Sequence, residues 1–96
     1  RKYMAAISGQ KTVTTAGTAE ALGSQIINGP LMVKTLYSNT NNAYIGNDGA
    51  GDVTSGNGFE LDAGDAVVFE FVGNLAHIIV DVDTDGEGVA WIALNV

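Results

Sequence analysis

The chain has 96 residues, a formal net charge of −7 and no cysteine. Its length predicts a single domain with a thin core, and the missing thiols exclude a disulfide framework or a thiolate metal site. No Lys or Arg follows Lys34, so the surface should repel phosphates and nucleic-acid binding is not expected. No apolar run reaches the roughly 18 residues of a membrane-spanning helix, so no membrane partner is expected.

Residues 1–10 are predicted to form an N-terminal arm or a first strand, ahead of a single β-domain at 11–96. The segment carries two of the four basic residues beside several apolar ones. No turn signal precedes Gly9 to fold it back, so we expect it to cross to a neighbouring molecule rather than pair with its own domain. The expected interface residues are Arg1, Lys2, Tyr3, Met4 and Ile7.

Short β-prone runs separated by turn signals fill the first half of the chain. Residues 10–15 are rich in Thr, whereas residues 18–22 suit either one helical turn or an irregular strand edge. Residues 31–38 predict a strand. Its better core face consists of Leu31, Val33, Thr35 and Tyr37. The Asx-turn formers at 39–42 predict a hairpin between this strand and the next one.

The second half begins with a loop at 46–58 that is rich in Gly, Asn and Asp and is anchored by Val53. Strands are predicted at 66–72 and 75–82, joined by a hairpin turn at Gly73-Asn74. With the strands before and after them, the chain has about seven or eight short strands spaced about 8–12 residues apart. This pattern predicts an all-β fold, either an antiparallel β-sandwich or a small barrel.

Strand alternation and side-chain size predict which residues leave solvent, because successive side chains of a strand point to opposite faces of the sheet. We expect one set to lie in the core or in an oligomer interface. Its members are Val33, Tyr37, Val67, Phe69, Ile78, Val80, Trp91 and Ile92.

An acidic segment near the C-terminus matches the first half of an EF-hand calcium loop. Its carboxylates at alternate positions are of the kind that binds a hard cation. However, Ile92 stands where the twelfth-position Glu should be, and both flanks are predicted strands. We interpret the segment as a solvated acidic turn. The alternative is a calcium site formed by Asp81, Asp83, Asp85 and Glu87.

The sequence contains no pattern that indicates an enzyme. His77 is the only histidine, so a histidine-based zinc site within one chain is not expected. Residue types for a Ser-His-Asp triad exist at Ser38, Ser55, His77 and Asp81, but no nucleophile-elbow motif accompanies them. We therefore expect neither catalytic residues nor a cofactor.

Several motifs along the chain resemble those of small virion proteins of tailed phages. The opening run QKTVTTAGTAEAL is followed by Tyr44-Ile45-Gly46, a D-V-T-x-x-N-G segment at 52–58, a turn and strand at 61–67, and a last strand with a G-V-x-W motif at 88–91. The resemblance covers nearly the whole chain, and its motifs are turn and strand signals.

This resemblance implies a non-enzymatic virion structural protein of the capsid decoration (cement) or head-fibre and spike-base type. The implied partners are the major capsid protein or other virion proteins, with assembly as a homo-oligomer on the capsid surface. The residues leave a second function class open, a carbohydrate- or receptor-binding β-module. That module would use the loops at 46–58 and 81–88 and could depend on calcium.

Overall fold

A computed structural model describes residues 5–95, with side chains from residue 6 to residue 94. Within this range the chain forms eight strands and one short 3₁₀-helix. The strands are β1 (Ala5–Thr12), β2 (Glu20–Ala21), β3 (Leu31–Thr35), β4 (Ala43–Gly46), β5 (Phe59–Leu61), β6 (Ala66–Phe69), β7 (Ile79–Val82) and β8 (Gly88–Asn95). The 3₁₀-helix, Leu75–His77, precedes β7.

The strands form two four-stranded antiparallel sheets. The first sheet has the order β1-β8-β3-β6 and the second has the order β2-β7-β4-β5. Strands 1 and 8, 2 and 7, 3 and 6, and 4 and 5 are therefore antiparallel neighbours. Eight strands nested in this way across two sheets make a jelly roll. The prediction of an all-β antiparallel sandwich is confirmed.

The core lies between the two sheets and follows from alternation along the strands. In β3, Leu31, Val33 and Thr35 are fully buried, while the intervening Met32 is exposed. The Thr35 hydroxyl donates to the Asp62 carbonyl oxygen at 2.6 Å, so this polar group is satisfied inside the core.

Most of the residues predicted to leave solvent lie in the core or pack against it. Val33, Ile78 and Val80 are buried, and Val67, Phe69 and Trp91 pack against the core from partly buried positions.

Two members of that set are exposed. Tyr37 is 85% exposed, because β3 ends at Thr35 and the chain then turns, with the Asn39 N–H donating to the Leu36 carbonyl oxygen at 3.0 Å. Its assignment to the core face of the strand is wrong. Ile92 is 48% exposed, because the register of β8 points it away from the core.

Both predicted hairpins are wrong, because in each case the chain crosses from the first sheet to the second. After β3, the Asn39 side chain is buried and bonds to the backbone N–H and C=O of Gly88, which holds this loop against the start of β8. After β6, Asn74 caps the 3₁₀-helix by accepting from the Ala76 N–H at 2.9 Å. The strand predicted at 75–82 therefore begins only at Ile79.

The N-terminal segment lies in the first sheet. It pairs with β8 of the same chain from Ala5↔Asn95 to Thr12↔Gly88, so residues 5–10 belong to the first strand of the domain's own sheet. Ile7 is half-buried and packs against the core, which occupies it within its own domain. The other expected interface residues, Arg1, Lys2, Tyr3 and Met4, lie outside the described residues.

Candidate interaction surface

The outer face of the first sheet is a largely apolar surface that no part of the described chain covers. We call it the open face. It consists of the outward-pointing residues of β1, β8, β3 and β6, namely Ala6, Ser8, Gln10, Thr12, Met32, Lys34, Ala66, Val68, Ala90, Ile92 and Leu94. Cross-strand pairing aligns Ser8, Ile92, Met32 and Val68 in one central row.

Several large apolar side chains of the open face are in contact with solvent. Met32 is 40% exposed, Ile92 48% and Val68 58%. Two shallow depressions run along them. One is lined by Met32, Lys34, Ala90, Trp91 and Ile92. The other is lined by Ala6, Pro30, Leu31, Met32, Val68, Ile92, Ala93 and Leu94. A continuous apolar surface of this kind marks an interaction site more often than scattered exposed residues do.

The charge of the open face differs from that of the rest of the molecule. None of the 11 acidic residues belongs to it, although the chain has a net charge of −7. Lys34 is its one charged residue. The Lys34 ammonium donates to the Thr35 carbonyl oxygen at 3.2 Å and lies 5.0 Å from the centre of the Tyr37 ring. The open face is thus largely apolar, and none of its residues is negatively charged.

The outer face of the second sheet is covered by the chain's own loops, and we call it the covered face. Its central residues Tyr44, Ile79 and Asp81 are all buried, at 8%, 5% and 3% exposure. Residues 13–19 cover one side, where the Gly17 N–H donates to Asp81 Oδ1 at 2.9 Å. Residues 47–58 cover another side, and the predicted anchor Val53 is 2% exposed.

The acidic turn forms part of this cover. Each of its carboxylates accepts a hydrogen bond from a different part of the chain. Asp83 accepts from the Tyr44 hydroxyl at 2.9 Å, and this bond, together with burial, raises the pKa of Tyr44. Asp85 accepts from the Ala16 N–H at 2.7 Å. Glu87 accepts from the Thr40 N–H at 2.7 Å, and hydrogen bonding lowers the pKa of Glu87.

The described residues contain no group of three or more His, Cys, Asp or Glu side chains that could hold a metal ion. Asp81, Asp83, Asp85 and Glu87 therefore do not converge on one point, and the calcium alternative gains no geometric support. In the loop at 47–58, the Asp48 carboxylate is likewise bonded to the loop's own backbone. Asp48 Oδ1 accepts from the Ala50 and Asp52 N–H groups, as turn-forming aspartates do.

His77 is the exposed last residue of the 3₁₀-helix, and its Nδ1 atom lies 3.4 Å from the Val72 carbonyl oxygen. The Asp81 carboxylate bonds instead to the N–H groups of Gly17 and Val82. Within the part of the chain that the structure describes, no hydrogen bond joins the two residues.

Over the same range, no helix is long and apolar enough to cross a membrane.

A separate apolar cleft opens between the sheets where the edge strands β5 and β6 approach each other. It is lined by Ile45, Gly46, Phe59, Val67, Phe69 and Ile78. Phe59 is 60% exposed at its mouth. Because the buried residues Ile45 and Ile78 belong to its lining, the cleft leads into the core of the domain.

The fold and its surfaces define a jelly-roll domain that leaves one sheet face uncovered. No protein-family model matches the chain, and no curated protein matches it.

Proposed function

We propose that the chain is a non-enzymatic structural component of a tailed-phage virion. It binds the capsid shell or neighbouring subunits and stabilises the particle or anchors a head fibre. The observation that carries this role is the open face, because an uncovered, largely apolar sheet face without acidic residues suits a protein contact. Jelly rolls occur in viral capsid domains, which agrees with the resemblance of the motifs.

The fold by itself does not decide the function, because lectin domains also use jelly rolls. The carbohydrate-binding alternative would rely on the loops at 46–58 and 81–88. Many oxygen atoms in these loops accept hydrogen bonds from the chain itself. They are less available to a sugar or to a calcium ion than the apolar surface is to a protein.

The proposed role is tested by asking whether the chain sediments with assembled particles. Particles are banded on a density gradient from cells that carry the gene, and the chain is quantified against the major capsid protein by mass spectrometry. We expect a fixed stoichiometric ratio in the particle band. We also expect Ile92→Glu to be lost from the band, whereas Ile26→Glu, which charges an exposed apolar residue outside the open face, stays in it.

Recovery of the wild-type chain only at the top of the gradient would contradict a virion role. Calcium-dependent binding on a glycan array by the same purified protein would favour the sugar-binding module instead.

A further inference from the structure

We propose that the open face is covered by the open face of a second copy of this chain. The two first sheets stack on each other in a pair with twofold symmetry. The pair rests on the part of the proposed function that makes the open face a protein contact, and it names the partner of that surface. Twofold pairs are the commonest homo-oligomers, and they join identical patches.

Charge selects the open face as the self-association surface. A second copy also has a net charge of −7, so most ways of bringing two copies together place acidic groups against acidic groups. The open face is the large exception, because none of the acidic residues belongs to it. A basic partner would gain more from the acidic surfaces elsewhere, since the open face offers no negative charge to complement.

The symmetry of the pair follows from the position of Lys34, which lies to one side of the central row of Ser8, Met32, Val68 and Ile92. A twofold axis that runs along this row reverses the strand direction of the second sheet. The two central rows then face each other, and the two Lys34 side chains come to lie at opposite ends of the interface. Stacked sheets pack about 10 Å apart, which leaves room for interdigitated Met, Val and Ile side chains.

The size of the face predicts a weak pair in solution. Four strands spaced about 4.8 Å apart span about 19 Å, and strands of about six residues on average extend about 20 Å. The footprint is therefore about 400 Å² per copy, or about 800 Å² in total before side-chain relief, which is below the roughly 1,200 Å² of a stable specific interface and in the range of weak contacts. We expect a dissociation constant between about 1 μM and 1 mM. Dilute chains therefore remain largely unpaired, whereas chains that other contacts hold close together are paired, because their effective concentration is high.

The test is sedimentation equilibrium of the purified chain from micromolar to millimolar concentration. Wild type should pass from the mass of one chain to the mass of two. Ile92→Glu should weaken pairing by at least about 30-fold, the effect expected for a charge in the centre of an interface. Ile26→Glu makes the same chemical change outside the open face and should pair like wild type. Phe59→Glu, at the mouth of the cleft, should also pair like wild type.

Circular dichroism and melting curves confirm that each variant is folded. A wild-type chain that stays monomeric at millimolar concentration would overturn the inference, and so would pairing that survives Ile92→Glu but is lost in Phe59→Glu. An oligomer larger than two copies would contradict the twofold arrangement. A chain that pairs in solution but never sediments with particles would leave this inference standing and would refute the virion role.

Discussion

The two sheets of the sandwich share one core, but their outer faces meet solvent in opposite ways. On the second sheet, Tyr44 and Asp81 are buried under loops of the same chain. On the first sheet, Met32, Val68 and Ile92 point outward with nothing over them in residues 5–95. The domain thus satisfies the polar groups of one outer face internally, whereas its other outer face is largely apolar and is not covered by the described chain. The predictions below test this difference, beginning with the largest expected effect.

The two sides of β3 should respond very differently to truncation. Leu31 is fully buried, whereas its neighbour Met32 is 40% exposed on the open face. We expect Leu31→Ala to lower the free energy of unfolding by about 2–5 kcal/mol, because it removes buried methyl groups and leaves a cavity. Met32→Ala should cost less than about 1 kcal/mol in the monomer. Urea denaturation of dilute protein measures both values, and equal losses would show that β3 has no exposed side.

The cover of the second sheet should depend on close packing by its glycines. A Cβ atom at Gly58 would lie 2.7 Å from Tyr44 Cβ and 2.8 Å from Val53 Cγ2. We expect Gly58→Ala to destabilise the domain by about 1–3 kcal/mol through overpacking. Gly56→Ala is the matched control, since the added Cβ atom would lie at an ordinary 3.6 Å from Thr54 Oγ1. Thermal or urea melts compare the two, and a Gly58→Ala variant as stable as Gly56→Ala would contradict the tight contact.

Acid should loosen the loops that cover the second sheet. Hydrogen bonds from Lys11 and from the Thr14 N–H lower the pKa of Glu20, and bonds from Thr40 and Asn41 lower the pKa of Glu87. A carboxyl whose folded pKa lies below its unfolded value of 4.5 stabilises the fold above that value. This contribution is lost as the pH falls through the lower, folded pKa. We therefore expect the urea concentration at the unfolding midpoint to decrease as the pH falls below about 4.5.

Variants identify the groups responsible for that drop. Glu20→Gln and Glu87→Gln should each flatten the acid limb of the stability profile. Glu70→Gln is the control, because the exposed Glu70 accepts no hydrogen bond among the described residues. An acid limb that is unchanged in both test variants would show that these two carboxyls do not link stability to pH.

Chelation should have the smallest effect. The carboxylates of the acidic turn accept hydrogen bonds from the chain itself, as Asp83 does from Tyr44. An excess of chelator should therefore shift the melting temperature by less than about 1 °C, since an ion that does not bind the folded state cannot stabilise it by mass action. Scanning calorimetry with chelator and then with added calcium provides the measurement. A fall of many degrees that calcium reverses would revive the calcium alternative.

Local sequence patterns predicted the β class and the buried side of β3, because alternation is a property of neighbouring residues. Val53 was predicted as an anchor from another local signal, because it is a lone large apolar residue in a polar loop. The jelly-roll order could not be predicted, because its pairs join distant parts of the chain, such as Thr12 with Gly88. Both hairpin predictions were wrong for this reason. A turn signal marks a change of direction and does not say which sheet the next strand joins.

The open face left a signal in the sequence that alternation alone does not resolve. Residues 89–94 read VAWIAL and are apolar at every position. Such a run is typical of a strand that is buried on both faces. In the described structure Val89 and Ala93 point into the core, whereas Ile92 points outward into solvent. The excess of apolar residues in this strand is accounted for if a second molecule covers the open face.

Methionine oxidation measures that covering most directly. Met32 lies in the central row of the open face, and its thioether is readily oxidised where solvent reaches it. Radical footprinting with mass spectrometry should show Met32 labelled in dilute protein and protected at millimolar concentration or in the particle. Phe59, which is 60% exposed on the second sheet, should be labelled equally in all samples. Equal labelling of Met32 in dilute, concentrated and particle-bound protein would contradict the central claim that the open face is a contact surface.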